Sequence, residues 1–233
     1  MQSEQMVLAS TSPRRRELLA LLGIPFIVHP ADVDEGPLAG EPPADMVVRL
    51  SVAKVRRVAQ EKPHRFIVGS DTSVSLRIGD EWRVYGKPAD REDARRMLSE
   101  LGGRDHWVHT GYAVLDRQRG VIARGYQVTK VWLRRLDPSE EDAYLATGIA
   151  DDKAGAYAVQ DRRFALVQRL EGSAAATMGL PVCPLRQVLL KFGLPVADTD
   201  SVVEGCSRLT GMECVFGPSG DCPGWVRYVE EAY

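Results

Sequence analysis

Cysteine is scarce in this chain, with four residues among 233, three of them in the last 30. Such sparse and uneven use does not suggest a disulfide scaffold. Apolar runs are only a few residues long, so no segment is predicted to cross a bilayer. The N-terminus lacks a basic region followed by an apolar one, so we expect no secretory signal and a cytoplasmic protein.

The chain also has no excess of charge of one sign, few aromatic residues and none of several common catalytic motifs. The formal net charge is −2 and aromatic residues make up 7% of the chain, which argues against a nucleic-acid binder. The four histidines do not form an HExxH motif, and no GxSxG elbow is present, so zinc-protease and serine-hydrolase schemes are disfavoured. A Gly-rich phosphate loop and a GxGxxG motif after a strand are likewise absent.

The residues that are present predict a globular α/β protein. Apolar residues make up 44% of the chain and charged residues 27%, enough for a sizeable core. Hydrophobic periodicity predicts strands at residues 6–10, 25–30, 65–76, 106–116, 121–136, 156–160 and 164–170. Helices are predicted at residues 12–23, 43–60, 89–101, 139–147 (with Ser139 as the N-cap) and 184–192. Some of these strands pair as hairpins, so the pattern is not a regular βαβ series.

The first candidate site lies between a strand and a helix, in the segment from Ser10 to Arg15. A helix N-terminus presents free N–H groups and partial positive charge, which attract anions. Ser10 and Ser12 add donors, and Arg14 and Arg15 add charge that suits phosphate oxygens. The alternative is a capped helix whose arginines are simply solvated.

Lys54 is the second candidate, because it falls on the apolar side of its predicted helix. Val47, Leu50, Val55 and Val58 form one arc at 100° per residue, and Lys54 lies within it. A lysine there must either extend its ammonium to solvent or meet an anion.

Carboxylates and a further lysine complete the candidates. Asp71 follows an apolar strand segment, where it either holds a divalent cation, accepts a proton from water, or makes a local turn. Glu35 in an acidic loop and Lys87 in a GKP segment are individually weak signals. Together these cations and carboxylates suit a phosphorylated substrate and a bound divalent metal.

A series of motifs in one order resembles the Maf family of nucleoside triphosphate pyrophosphatases. The motifs are LASTSPRRRELL (8–19), VDE (33–35), Lys54, GSDT (69–72), GKP (86–88), HTG (109–111), KAGAYAVQ (153–160) and GLP (179–181). They span roughly residues 6–194, and this many motifs in order form a highly specific signal.

The resemblance implies hydrolysis of a nucleoside triphosphate to the monophosphate and pyrophosphate, with Mg²⁺ or Mn²⁺. The expected substrates are dTTP, UTP or modified pyrimidine nucleotides. It implies an α/β fold like that of inosine triphosphate pyrophosphatase, in which helices flank an elongated mixed β-sheet and two lobes surround a central cleft. A cytoplasmic location and a homodimer are also implied. The alternative is a catalytically silent nucleotide-binding regulator of cell division and septum formation, which would use the same cleft.

The resemblance also implies roles for individual residues. Asp71 matches the proton acceptor that activates water, and Glu35 matches a polar group that lines the cleft. We expect the metal to be held near Asp71 and Glu35. The phosphate-binding and cleft-lining positions match Ser10, Ser12, Arg14, Arg15, Lys54 and Lys87. Positions linked to base choice in the branch acting on dTTP and UTP match Arg14, Thr72 and Gln160, and a carboxamide suits a pyrimidine edge.

Two departures put substrate preference in doubt. Ser70 stands where the dTTP/UTP branch usually has Ala, and residues 174–177 (AAAT) replace a segment that usually bears Tyr and Asn. We expect residues 1–194 to form the pyrophosphatase domain and residues 195–233 to form an extension of unknown role. Its cysteines, Cys206, Cys214 and Cys222, are expected to be reduced thiols. The alternatives are a disulfide, or a metal or cluster site that Cys183 would join.

Overall fold

The computed structural model describes residues 5–214 and 225–233, and in these two stretches the chain forms eight strands and seven α-helices. The strands are β1 (Met6–Leu8), β2 (Phe26–Val28), β3 (Phe66–Ile78), β4 (Glu81–Tyr85), β5 (Asp105–Asp116), β6 (Val121–Leu133), β7 (Val167–Glu171) and β8 (Trp225–Ala232). The helices are α1 (Pro13–Ala20), α2 (Pro43–Glu61), α3 (Arg91–Leu101), α4 (Pro138–Leu145), α5 (Ala174–Thr177), α6 (Val182–Lys191) and α7 (Thr199–Thr210).

All eight strands belong to one mixed sheet. Its order is β2-β1-β3-β5-β6-β7, with β4 paired to β3 and β8 paired to β6. The strand β1 is parallel to β2 and β3, whereas the other pairs are antiparallel. The expected α/β fold with a mixed sheet is therefore confirmed. Gly79 and Asp80 join β3 to β4, a strand that is not among those predicted from the sequence.

The long strands β3 and β5 set the position of the site residues. Asp71 of β3 is paired with Gly111 of β5, and the register runs without a shift from Phe66 to Ser75. Because successive side chains of a strand point to opposite faces, Asp71 and Ser73 share the face that α2 covers.

Helix α2 covers this face with the apolar stripe that the sequence predicts. Val47, Leu50, Val55 and Val58 are all buried, and so is Lys54 with them. A proline at the first position of the helix suits its start, because that backbone nitrogen has no partner inside the helix. The aliphatic part of Lys54 is therefore held in the core, which fixes the position of its ammonium.

The described residues beyond Leu194 pack against the rest of the fold through α7 and β8. Val202 and Cys206 of α7 belong to the buried core that also contains Leu18 of α1. The strand β8 adds to the sheet beside β6. Helix α7 was not predicted, although Asp198 caps its N-terminus by accepting a hydrogen bond from the backbone N–H of Ser201.

Two sequence-based predictions are wrong. Residues 156–160 do not form a strand: a 3₁₀ turn (Ala154–Ala156) leads into irregular backbone, with positive φ at Gly155 and Ala156. The N-cap of α4 is Asp137 instead of Ser139, because Pro138 takes the first helical position and the Asp137 carboxylate accepts from two backbone N–H groups.

Two further expectations concern the state of the cysteines and the absence of a membrane-spanning segment. Cys183 and Cys206 are buried, Cys214 is half-buried, and Cys222 lies outside the described residues. No group of three or more His, Cys, Asp or Glu side chains suited to a metal ion occurs within residues 5–214 and 225–233. The helices of these two stretches also include none with the length and apolar character of a membrane span.

Candidate active site

The site lies where the edge of β3 has no strand partner in the described part of the chain. The parallel strand β1 reaches only to Val68, and the antiparallel strand β4 begins its pairing at Val74. Between them, Asp71, Thr72 and Ser73 border a cleft of about 440 Å³, which shares several lining residues with a second cavity of about 350 Å³. A gap in a sheet edge thus gives a ligand access to Asp71 in the middle of the sheet.

Two glycines bring α2 unusually close to the strands beneath it. A Cβ atom on Gly111 would lie 2.3 Å from the backbone oxygen of Val47, and one on Gly69 would lie 2.6 Å from the backbone oxygen of Ser51. Any side chain at either position would push the helix away. This close approach allows Lys54 on α2 to reach Asp71 on β3.

Lys54 lies between two carboxylates. Its Nζ is 2.5 Å from Oδ1 of Asp71 and 2.6 Å from Oε1 of Glu35. Of the two fates open to a lysine on this face, the structure shows the second, a meeting with anions. Burial alone would raise the pKa of Glu35, but the hydrogen bond and charge of Lys54, with Arg15 and Lys87 nearby, outweigh it and hold this pKa below its usual value.

The N-terminus of α1 forms the wall opposite α2. Ser12 caps the helix by accepting from the backbone N–H of Arg15, and Ser10 accepts from the backbone N–H of Ser12 at 3.2 Å. The guanidinium of Arg15 donates to Ser10 Oγ at 3.4 Å and to the backbone oxygen of Gly179 at 3.0 Å. Burial lowers the pKa of Arg15, while the carboxylates of Asp71 and Glu35 oppose that change. The result is a fixed cation facing the cleft.

All ten sequence-predicted site residues line one or both cavities. Ser12, Arg14, Arg15, Glu35, Lys54 and Lys87 line both; Asp71, Thr72 and Gln160 line the larger cavity; Ser10 lines the smaller. Residues up to 150 positions apart in sequence thus converge on one cleft, with the charged side chains grouped at the end that the two cavities share.

The other end of the larger cavity is mostly apolar. Its lining includes Val74, Tyr85, Val108 and Tyr157. The Tyr85 hydroxyl donates to Oε2 of Glu100 at 2.6 Å, and burial together with this carboxylate raises the pKa of Tyr85 to about 12.

A second tyrosine hydroxyl at this end is also satisfied by a neighbour. The hydroxyl of Tyr157 lies 2.7 Å from Nε2 of His106, and burial raises the pKa of Tyr157 while lowering that of His106 to about 4. Such neutral, satisfied side chains suit a nucleoside better than a phosphate.

Sequence reasoning missed two polar groups in the cleft. Asp152 lines both cavities and forms an ion pair with Arg14. Ser73 lines the larger cavity, and its hydroxyl is buried without a hydrogen-bond partner in the described structure. Asp152 immediately precedes the KAGAYAVQ motif and Ser73 immediately follows GSDT. Their positions next to these motifs were the only sequence signal that could have identified them as site residues.

The departures Ser70 and residues 174–177 differ in their relation to the cleft. Ser70 points away from the cavities, with its hydroxyl 2.7 Å from the backbone oxygen of Gly111 and 2.9 Å from that of Gly179. It therefore fixes the same carbonyl that Arg15 contacts. Residues 174–177 form α5, whose last residue, Thr177, lines the larger cavity.

Comparison with known proteins agrees with this geometry. The family model described as "Maf-like protein" matches residues 5–192. A dTTP/UTP pyrophosphatase of Geotalea uraniireducens is 46% identical over 188 residues, which cover 81% of this chain and 95% of the relative. Relatives of the same name from Pelotomaculum thermopropionicum and Anaeromyxobacter dehalogenans are each 45% identical, over 83% and 82% of this chain and 99% and 96% of their own lengths. The chain belongs to the Maf family.

Proposed function

We propose that this protein hydrolyses nucleoside triphosphates, with dTTP and UTP as substrates, to the nucleoside monophosphate and pyrophosphate. The observation that carries the proposal is the contact of Lys54 with Asp71 and Glu35 at 2.5 and 2.6 Å, in a cleft that Arg15 also faces. The names of the relatives, all dTTP/UTP pyrophosphatases, support the choice of substrate.

The triphosphate binds at the charged end of the cleft. The N-terminus of α1 offers backbone N–H groups and the hydroxyls of Ser10 and Ser12, and Arg14 and Arg15 add guanidinium groups. Lys54 and Lys87 face these groups from α2 and from the segment after β4. Catalysis of phosphoryl transfer rests on positioning and on neutralising charge, which this set of fixed cations supplies.

Asp71 is the proton acceptor in the reaction. Its carboxylate takes a proton from a water molecule as the water oxygen forms a bond to the α-phosphorus. The bond from the α-phosphorus to the oxygen that bridges to the β-phosphorus breaks, and pyrophosphate leaves with that bonding pair. Lys54 holds the Asp71 carboxylate in position through the hydrogen bond at 2.5 Å and balances the negative charge near it.

The base occupies the less charged end of the larger cavity. We assign base choice to Arg14, Thr72 and Gln160, which all line that cavity; Arg14 also lines the smaller one. The Gln160 amide offers a donor and an acceptor, which match the alternating carbonyl and N–H groups of a uracil or thymine edge. The apolar wall of Val74 and Val108 gives the ring a dry surface.

The carboxylates fit a divalent metal such as Mg²⁺ or Mn²⁺. Hard cations prefer carboxylate oxygens and are commonly held by one or two of them together with substrate phosphates. Glu35 and Asp71 would hold the ion, which supplies Lewis-acid neutralisation of phosphate charge when bound. Because Lys54 Nζ contacts both carboxylates, the lysine and the ion share the same two partners.

The lobes, the oligomeric state and the cellular location are assigned by analogy with the family. We assign two lobes around the cleft, an inosine triphosphate pyrophosphatase-like arrangement, a homodimer and a cytoplasmic location. Residues 1–194 form the pyrophosphatase domain and residues 195–233 form an extension, of which α7 packs on the core and β8 adds to the sheet.

A pyrophosphate-release assay over a panel of triphosphates tests this function. With Mg²⁺ or Mn²⁺ present, dTTP and UTP are expected to be cleaved faster than CTP, ATP and GTP, and chelation of the metal is expected to stop turnover. Tight nucleotide binding with no release of pyrophosphate from any substrate would instead support the silent regulator of cell division.

A further inference from the structure

Arg14 is held by a residue from the far side of the cleft. Its Nη1 donates to Oδ2 of Asp152 at 2.8 Å, and its Nη2 donates to the backbone oxygen of Asp152 at 3.3 Å. Arg14 stands in the first turn of α1, and Asp152 lies 138 residues later, in a turn after α4. Two donors to one residue fix the direction of the guanidinium as well as its distance.

The turn that carries Asp152 is itself braced. Lys153 Nζ donates to the other carboxylate oxygen, Oδ1 of Asp152, at 2.5 Å and to the backbone oxygen of Ile149 at 2.8 Å. Burial alone would raise the pKa of Asp152, but its contacts with Lys153 and Arg14 outweigh it and lower this pKa to about 2. The carboxylate is therefore ionised throughout the range in which the enzyme would work.

The pair of Arg14 and Asp152 stands between the two cavities, because both residues line both of them. A guanidinium has five N–H donors, and Asp152 occupies two, so three remain for a phosphate. The carboxylate thus orients Arg14 without using up its capacity to bind an anion.

We propose that Asp152 is a positioning residue for the hydrolysis of the triphosphate: it holds Arg14 so that the remaining N–H groups of the guanidinium meet the phosphate chain. This inference rests on the proposed function for its substrate. It assigns no contact between Asp152 and the reacting atoms. The benefit of the ion pair is felt when the substrate binds, because an arginine that is already oriented loses less freedom at that step.

The test is a comparison of Asp152→Asn with Asp151→Asn, an adjacent substitution that removes the same charge. Asp152→Asn is expected to lower kcat/KM for UTP by about tenfold or more, mainly through KM, because a charge-assisted contact is lost. Asp152→Glu is expected to recover most of the loss, and Asp151→Asn is expected to behave as the wild type. Circular dichroism and the melting temperature show that each variant is folded.

A double-mutant cycle shows whether Asp152 acts through Arg14. In an Arg14→Ala background, Asp152→Asn is expected to change kcat/KM less than about twofold, because the partner is already gone. A tenfold loss in that background, a fall in kcat alone, or a gain in kcat/KM on Asp152→Asn would overturn the proposal.

Binding of inorganic tripolyphosphate, measured by calorimetry on the same variants, separates this inference from the proposed function. If the wild-type protein cleaves no nucleotide but Asp152→Asn still weakens tripolyphosphate binding only when Arg14 is present, the proposed function fails and the role of Asp152 stands. If nucleotides are cleaved and the affinity for tripolyphosphate is unchanged in Asp152→Asn, the role of Asp152 fails alone.

Discussion

The two ends of the cleft achieve order by different means. At the phosphate end, Lys54 contacts both Glu35 and Asp71, so each of the three side chains has an unlike charge within 2.6 Å. At the nucleoside end, Tyr85 and Tyr157 direct their hydroxyls to Glu100 and His106 outside the cleft, and their rings face inward.

This difference indicates how binding energy is divided. At the phosphate end the charged side chains form ion pairs, and the triphosphate binds among them. Substitutions there are therefore expected to alter catalysis and substrate affinity. The nucleoside end is held by buried neutral groups, so changes there are expected to act first on stability. Three substitutions test this contrast, in order of decreasing effect.

Replacing Asp71 is expected to have the largest effect. Asp71→Asn keeps the shape of the side chain but removes the proton acceptor, so kcat is expected to fall by about 10²–10⁴-fold. Affinity for UTP, measured by calorimetry, is expected to stay within about tenfold, because the cations remain. The matched control is Asp80→Asn on the exposed turn after β3, and undiminished turnover in Asp71→Asn would refute the role of this carboxylate.

Replacing Lys54 is expected to have a smaller effect on the same end. Lys54→Ala removes a charged hydrogen bond to the substrate and is expected to weaken triphosphate binding by about 1.5–3 kcal/mol. The control is Arg57→Ala on the same helix, where Arg57 pairs with Glu61 at the surface. Equal KM values for the two variants would show that Lys54 is only a structural partner of Asp71.

Acidification tests a buried histidine, His109, which adjoins Val108 of the nucleoside end in β5. Burial lowers the pKa of this histidine to about 4, and its Nδ1 lies 3.2 Å from the Ser75 hydroxyl. The unfolded chain binds a proton near pH 6.5 and the folded protein does not until about pH 4, so stability falls as pH drops through this window.

The expected loss of folding stability follows from the pKa values of His109 in the unfolded and folded states. At pH 5.5 the contribution of His109 is roughly 1 kcal/mol. Urea denaturation of the wild type and of His109→Gln at pH 7 and pH 5.5 measures it, and the variant is expected to lose less stability on acidification. Identical losses in both proteins would show that His109 is not a source of the pH dependence.

The strands and the helix that carry this site can be predicted from the sequence, but the contacts between their side chains cannot. Alternating apolar residues identify β3, β5 and β6, and the apolar arc of α2 correctly places Lys54 inside the core. These features follow from local periodicity. The proximity of Lys54 to Asp71 depends instead on Gly69 and Gly111, whose effect is visible only when the helix lies across both strands.

Contacts between distant segments could not be predicted in this way. Asp152 and Arg14 are 138 residues apart, and neither has a local pattern that indicates its partner. Residues 156–159 form a short apolar run, which is typical of a buried strand. The positive φ of Gly155 and Ala156 instead turns the chain, and Gln160 lies at the wall of the cleft. Tertiary packing overrides the local signal at this point.

A crystal structure with the non-hydrolysable analogue α,β-imido-UTP tests the central claim most directly. We expect the phosphates to contact Arg14, Arg15 and Lys54, with the α-phosphorus next to a water molecule that is hydrogen-bonded to Asp71. We also expect the uracil ring to lie between Val74 and Gln160. Phosphates bound away from both the start of α1 and Asp71 would contradict the account.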